Sequence, residues 1–146
     1  MKITEALLAE HQVFHSLFDH LEKKVSSFKT VAEIQAIAAL METMLAAHAR
    51  TEDNLFIDPL EHCLEQIGQR DTFHEEHEEI DAHLLAISKT RQLKKARALL
   101  LAAVLASRKH FDKEERIIFP LAERVMTSAT LATLGKKWAE QRVDGG

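Results

Sequence analysis

Apolar residues recur along this chain at alternating spacings of three and four, the period of one face of an α-helix. The first run, Leu7, His11, Phe14, Phe18, Leu21 and Val25, predicts a helix over about 4–27, capped by Thr4 and ended by Ser26 and Ser27. Thr30-Val-Ala-Glu33 then has the form of a capping box, in which the hydroxyl and the carboxylate each satisfy an end-of-helix amide. The helix it opens carries the stripe Ile34, Ile37, Met41, Met44, His48, Glu52 and Leu55. Pro59 is expected to stop or kink that helix, with a short helical piece around 60–66 before Gly68. Asp71 or Thr72 can cap a third helix, whose stripe is Phe73, His77, Ile80, Leu84 and Ile87, and the polar stretch 88–95 is the next connection. A fourth helix is predicted from about Leu93 to Phe119, with Leu99, Ala103, Ala106, His110, Glu114 and Ile117 facing inward and Pro120 closing it. Ser128-Ala-Thr-Leu opens a shorter amphipathic segment, about 128–142, through Leu131, Leu134 and Trp138, before the polar tail 143–146. The pattern predicts an all-α protein: four long helices bundled over about 4–125, with a short fifth helix packed outside, in a single domain over 1–146.

The two halves of the chain resemble each other. His48-Ala-Arg-Thr-Glu52-Asp53 is answered by His110-Phe-Asp-Lys-Glu114-Glu115, each followed by bulky apolar residues and a proline. Glu10-His11-Gln-Val-Phe14 is answered by Glu76-His77-Glu-Glu-Ile80. The separation of the His-x-x-x-Glu pairs equals that of His15 and His77, whereas His11 and His77 are four residues further apart, so His11 and His15 compete for the first position.

These halves put ionisable side chains where the periodicity puts the core. His11, His48, Glu52, His77, His110 and Glu114 all occupy the buried seam, and burying a carboxylate without a partner costs several kcal/mol, with more added by repulsion when two are buried together. A metal pair supplies the missing positive charge, and the i,i+4 spacing places each histidine and its glutamate on one face so that both reach the same cluster. Imidazole with carboxylate suits Fe, Zn, Cu or Mn, and the set is too large for one tetrahedral zinc. Two irons fit better, with Glu52 and Glu114 bridging them and one position left open for a small ligand. His15, one turn after His11, and His74, one turn before His77, offer further ligands or hydrogen bonds to a ligand. His20, His62 and His83 fall off the stripes or at their edge and are expected in solvent, as are the runs Glu22-Lys23-Lys24, Glu75-Glu76, Glu78-Glu79 and Lys94-Lys95.

Composition narrows the partners. Charged residues make up 29% of the chain and the formal net charge is −4, with no dense Lys/Arg run, which argues against nucleic acid and anionic membranes. No segment approaches the roughly 18–20 apolar residues of a membrane span, and the N-terminus lacks the features of a signal peptide, so a cytoplasmic protein is expected. The single cysteine, Cys63, excludes an internal disulfide and is expected to pack, and the absence of tyrosine excludes a phenolate ligand.

The order His11, His48-x-x-x-Glu52, His77, His110-x-x-x-Glu114, with Glu114-Glu115-Arg-Ile-Ile-Phe-Pro120 after the last, resembles the hemerythrin-like HHE cation-binding domain over nearly the whole chain. The resemblance implies an up-down-up-down bundle holding two iron ions joined by the two glutamates and an oxo or hydroxo bridge, with zinc or manganese as substitutes. Because the family writes its first site as Glu-His-x-x-apolar, it implies His11 rather than His15 as the ligand. His77 follows by the same pattern. The chain departs from the family in placing Pro59 one residue later after its glutamate, so the exit of the second helix is expected to be irregular. It also has His74-x-x-His77 where hemerythrins proper have His-x-x-x-His, and Glu114 where they have aspartate, so reversible oxygen carriage does not follow from the resemblance. The implied function is a di-iron protein that binds O2 or reacts with peroxide or nitric oxide. It reads more as a binding protein than as an enzyme, although detoxification of those oxidants is within its chemistry. Iron storage, or iron or oxygen sensing through a separate partner, is the alternative.

Overall fold

Helix after helix follows the predicted stripes in the computed structural model, which describes residues 1–144; Gly145 and Gly146, the end of the predicted polar tail, lie outside the described residues. The elements are α1 (Ile3–Lys24), α2 (Val31–Glu52), α3 (Asp58–Gln66), α4 (Arg70–Lys89), α5 (Leu93–Lys113), α6 (Phe119–Val125) and α7 (Ser128–Asp144). A π-helical turn, Asp53–Ile57, joins α2 to α3, and a second, Glu114–Ile118, joins α5 to α6. The four long members of the bundle are therefore α1, α2 with α3, α4, and α5 with α6, reversed at three short connections. α7 packs outside them against α1 and the first π turn. Among the described residues no helix is long and apolar enough to cross a membrane.

Pro120 does not close its helix as expected, and the chain likewise runs on through Pro59 into the short helix expected around 60–66. A proline inside an α-helix has no N–H to donate and its ring strikes the carbonyl four residues back. Both prolines fall in the first turn beyond a π turn. There the ladder has already shifted to five-residue spacing, with Asp58 N–H donating to the Asp53 carbonyl and Phe119 N–H to that of Glu114. The wider turn accommodates the proline and lets the helix continue. It also changes which residues face inward within it: Ile118 is buried, whereas Ile117 is exposed. Further up the same helix the buried positions are Leu100, Ala103, Val104 and Ser107, with the predicted Leu99 and Ala106 only partly covered. The irregular exit expected of the second helix is thus present in the fourth as well.

Three caps differ in detail. α1 begins at Ile3, so Thr4 lies inside the first turn with its hydroxyl bonded to Glu123, while the Glu5 carboxylate accepts the Lys2 N–H at 2.8 Å. Thr30 accepts from Glu33 N–H at 3.1 Å as predicted, but Glu33 answers by accepting from Lys29 N–H. α4 starts at Arg70, ahead of Asp71 and Thr72. The reason is the turn before it: Gly68, at φ +71°, closes α3 with Gln69 N–H on the Leu64 carbonyl and Gly68 N–H on that of Glu65. The left-handed geometry brings the chain into α4 within one residue.

Burial divides into two apolar layers. One contains Phe14, Phe18, Leu21, Met41, Leu45, Ile80, Leu84, Leu100 and Phe111. The other contains Ile3, Leu7, Phe56, Leu60, Phe73, Ile118, Phe119 and, from α7, Leu131, with Cys63 packed against it. On α1, α2 and α4, the candidate residues fall between these two layers.

Candidate metal centre

Each long helix contributes to the polar layer from the middle of its buried stripe. His11 lies between Leu7 and Phe14 on α1, and His77 between Phe73 and Ile80 on α4. His48 and Glu52 occupy the last turn of α2, while His110 lies in the last turn of α5, four residues before Glu114, the first residue of the second π turn. His11, Glu52 and Glu114 are fully buried, His48 and His110 nearly so, and the His77 side chain is 20% exposed.

The distances repeat across the two halves. His48 Nε2 lies 3.1 Å from Glu52 Oε2, and His110 Nε2 lies 3.1 Å from Glu114 Oε1. Across the bundle His11 Nε2 is 3.7 Å from Glu114 Oε1 and His77 Nε2 is 3.9 Å from Glu52 Oε1. Each glutamate therefore reaches one histidine of each half. Two groups of donors result, His11, His48, Glu52 and Glu114 in one and Glu52, His77 and His110 in the other, and Glu52 belongs to both. The donor atoms of each group lie within 4.8 Å of one another, close enough to hold a cation.

The polar atoms here lack ordinary partners. Both carboxylate oxygens of Glu52 and of Glu114, both ring nitrogens of His11 and of His110, and Nε2 of His48 are buried without a hydrogen bond. Buried polar groups are almost always satisfied, because each one left bare costs about 1–3 kcal/mol and more when charged. Atoms this close without hydrogen-bond geometry are directed at common points rather than at each other, as the donors of a metal site are. The six residues and their chemistry therefore fit a pair of metal ions.

His15 and His74 stand outside both groups. Arg108 Nη1 lies 3.1 Å from His15 Nδ1, with Glu115 on the other side of the ring at 3.6 Å. His74 is about half exposed, with Glu61 at 3.3 Å. The carboxylates before the single histidines are also close to the centre, although the apolar pattern gave no sign of them. Glu10 Oε1 lies 3.2 Å from His48 Nδ1, and Glu76 Oε1 lies 3.5 Å from His110 Nδ1 while accepting from Lys113 Nζ at 2.8 Å. Glu76, expected in solvent, is buried. The matched Glu10-His11 and Glu76-His77 dipeptides were the available signal: adjacent helical residues point in different directions, so the histidine enters the seam while its glutamate reaches sideways to the neighbouring helix.

Protonation is set by burial and neighbours. Burial, with neighbouring histidines, holds His11 at about 3 and His77 at about 4, so both stay neutral. Burial also lowers His48, but Glu10 and Glu52 outweigh it and raise the imidazole to about 10. Burial and then the Glu52 charge push Glu114 well above the usual carboxylate range. Glu52 is held low against its burial by the neighbouring Glu114 and His48. Glu10 is partly buried, which raises it, yet bonds to His48, Arg142 and Trp138 bring it to about 2.

These protonation states make the stability of the metal-free protein depend on pH. His48 is protonated in the fold up to about pH 10 and in the unfolded chain only below about 6.5, so its contribution is present below 6.5 and lost as pH rises toward 10. Glu114 acts in the same direction, because ionising it opposes Glu52. With chelator present, stability in urea is expected to fall between pH 6.5 and 9 by about 1 kcal/mol per pH unit through His48, with Glu114 acting in the same direction. A rise over that range contradicts the assignment.

The chain was also compared with known proteins. No curated protein and no solved structure matches it. The family model described as the hemerythrin HHE cation binding domain matches residues 2–122, which covers all six residues of the buried cluster. With that match and the His/Glu cluster between its apolar layers, the chain belongs to the hemerythrin HHE cation-binding family.

Proposed function

We propose that this chain is a non-haem di-iron protein that binds O2, or reacts with peroxide or nitric oxide, at a centre ligated by His11, His48, Glu52, His77, His110 and Glu114. The observation that carries the reading is the sharing of Glu52 by two donor groups, with Glu114 spanning both halves in the same way. One cation would need a single convergent set, whereas a shared carboxylate suits two. Iron bound there would supply the redox change and an open coordination position for the small ligand.

The chain's own residues shape that position. The His77/His110 group has fewer donors, and a cavity of about 50 Å³ adjoins it, lined by Leu45, Ala49, Ile80 and Phe111 with His48, His77 and His110 and with Asp81 at its rim. A single water needs only about 10–15 Å³ of such space, so the cavity has room for a ligand of a few atoms. Leu45, Ile80 and Phe111 make its wall largely apolar, and Phe111 stacks on His11 with ring centroids 3.9 Å apart. Glu10 accepts the Nδ1 proton of His48 and so directs Nε2 inward, while Glu76 lies 3.5 Å from His110 Nδ1.

The test is metal analysis after iron-replete expression, with optical spectra of the reduced protein before and after exposure to O2, peroxide or nitric oxide. Two irons per chain and a new ligand-dependent absorption band are expected. Fewer than one metal per chain overturns the reading. A reversible oxygen band indicates binding, and peroxide turnover indicates detoxification. Filling the cavity from one side provides a sharper check. Ala49→Leu is expected to keep both metals and the helix while slowing nitric oxide binding by about 10-fold or more in stopped flow, and an unchanged rate places the ligand elsewhere.

A further inference from the structure

The last helix reaches the metal centre although it lies beyond the residues matched to the family. Trp138 Nε1 donates to Glu10 Oε1 at 2.9 Å. Arg142 grips the same carboxylate twice, Nε on Oε2 at 2.8 Å and Nη2 on Oε1 at 2.9 Å, and its Nη1 donates to Thr51 Oγ1 at 2.7 Å. Glu10 is in turn the partner of His48 Nδ1. Glu10 alone therefore stands between α7 and a residue of the buried cluster. The helix is held in place for this: Leu131 is buried, Leu134 and Trp138 pack on the apolar layer that contains Ile3, Leu7 and Phe56, and a Cβ at Gly135 would fall on the Met1 carbonyl oxygen.

The other half of the centre is supported differently. Glu76 is 3.5 Å from His110 and is held by Lys113, which lies on the same helix as His110 and less than one turn away. His110 thus depends on local contacts and His48 on a docked separate helix. A carboxylate held by three donors cannot swing away from the imidazole it orients, and outer partners of this kind are worth about 10- to 100-fold in metal affinity.

We propose that α7 is a clamp on one half of the centre: through Trp138, Arg142 and Glu10 it fixes His48, so that the His11/His48 position binds metal more tightly and fills before the His77/His110 position. The proposal rests on the two-metal reading above. It assigns the C-terminal helix a role in loading the two positions in order.

Cobalt(II) titration of the full chain without oxygen, followed by its visible bands and by competition with a chelator, tests it. The unaltered protein is expected to bind two cobalt ions in steps at least 10-fold apart. Arg142→Ala should weaken the tighter step by 10- to 100-fold and leave the weaker one unchanged. Trp138→Phe, which keeps the aromatic packing and removes only the donor, should do the same to a smaller extent, and Arg142→Lys should fall between Ala and the native residue. Lys113→Ala should weaken only the second step. Circular dichroism of the metal-free variants checks that helicity is intact; a selective loss in an intact variant supports the clamp. Two equal steps in the unaltered chain, or an Arg142→Ala variant that binds both ions as before, overturn the clamp alone. A chain that binds no metal overturns the two-metal reading and the clamp with it.

Discussion

Removing metal is expected to lower the melting temperature of this protein by about 10 °C. The centre gathers two glutamates and four histidines between apolar layers, and most of their inward atoms have no protein partner. In the metal-free chain that desolvation cost stands against the fold. Metal offsets it, and because the site is assembled only in the folded state, the binding free energy adds to folding stability. At a free metal concentration about 1,000 times the dissociation constant the gain is roughly 4 kcal/mol. For a chain of this size each kcal/mol moves the midpoint by about 2–4 °C. Melting followed by circular dichroism, with iron and then with excess chelator, reads the difference directly. Coincident transitions would mean that the cluster is satisfied without metal. Iron analysis should show that the shift follows occupancy.

Replacing Glu114 with glutamine is expected to reverse the order of stabilities. In the metal-free chain Glu114 is driven to its protonated form by burial and by the Glu52 charge. Glutamine has the same shape and carries a permanent donor toward Glu52, so Glu114→Gln mimics the preferred neutral state and removes the cost of ionising it. Chelated Glu114→Gln should be more stable than the chelated native chain by about 1–3 kcal/mol at pH 9, with the gap closing toward pH 5 as the native carboxyl takes up its proton. With metal the sign changes. An amide is a poor bridging ligand, and affinity should drop by more than the roughly 10- to 100-fold typical of an outer partner. Urea unfolding at the two pH values, with and without iron, gives four numbers that must cross. A variant less stable than the native chain in chelator at pH 9 would show that the Glu52/Glu114 pair is not the strained element assigned here.

Most of the fold could be read from the positions of the apolar residues. Phe14, Phe18 and Leu21 on α1, or Ile80, Leu84 and Ile87 on α4, recur at helical spacing because each helix has one buried face, and that face is where they are found. The six cluster residues were legible for the same reason. A histidine or glutamate at a seam position breaks the apolar pattern at a place where burial without a partner is costly, and six such breaks in two matching halves point to a common occupant. Glu10 and Glu76 were not legible. They lie off the stripe, and a glutamate off the stripe looks like any solvated residue until a neighbouring helix is placed against it. Pro120 misled for a related reason: proline disfavours the α-helix interior by a local clash, but a π turn upstream removes the clash.

By itself, the sequence determined the helices, their buried faces and the His/Glu set, because these depend on periodicity and on the cost of burying charge, both properties of the chain read locally. Tertiary structure alone decided which glutamate meets which histidines, that Glu52 is shared by two groups, and that His15 and His74 stay outside. It also decided that Trp138 and Arg142, from the far end of the chain, hold Glu10. Such contacts arise from the rotation and offset of one helix against another, set by how all the side chains pack at once, and no local spacing encodes them.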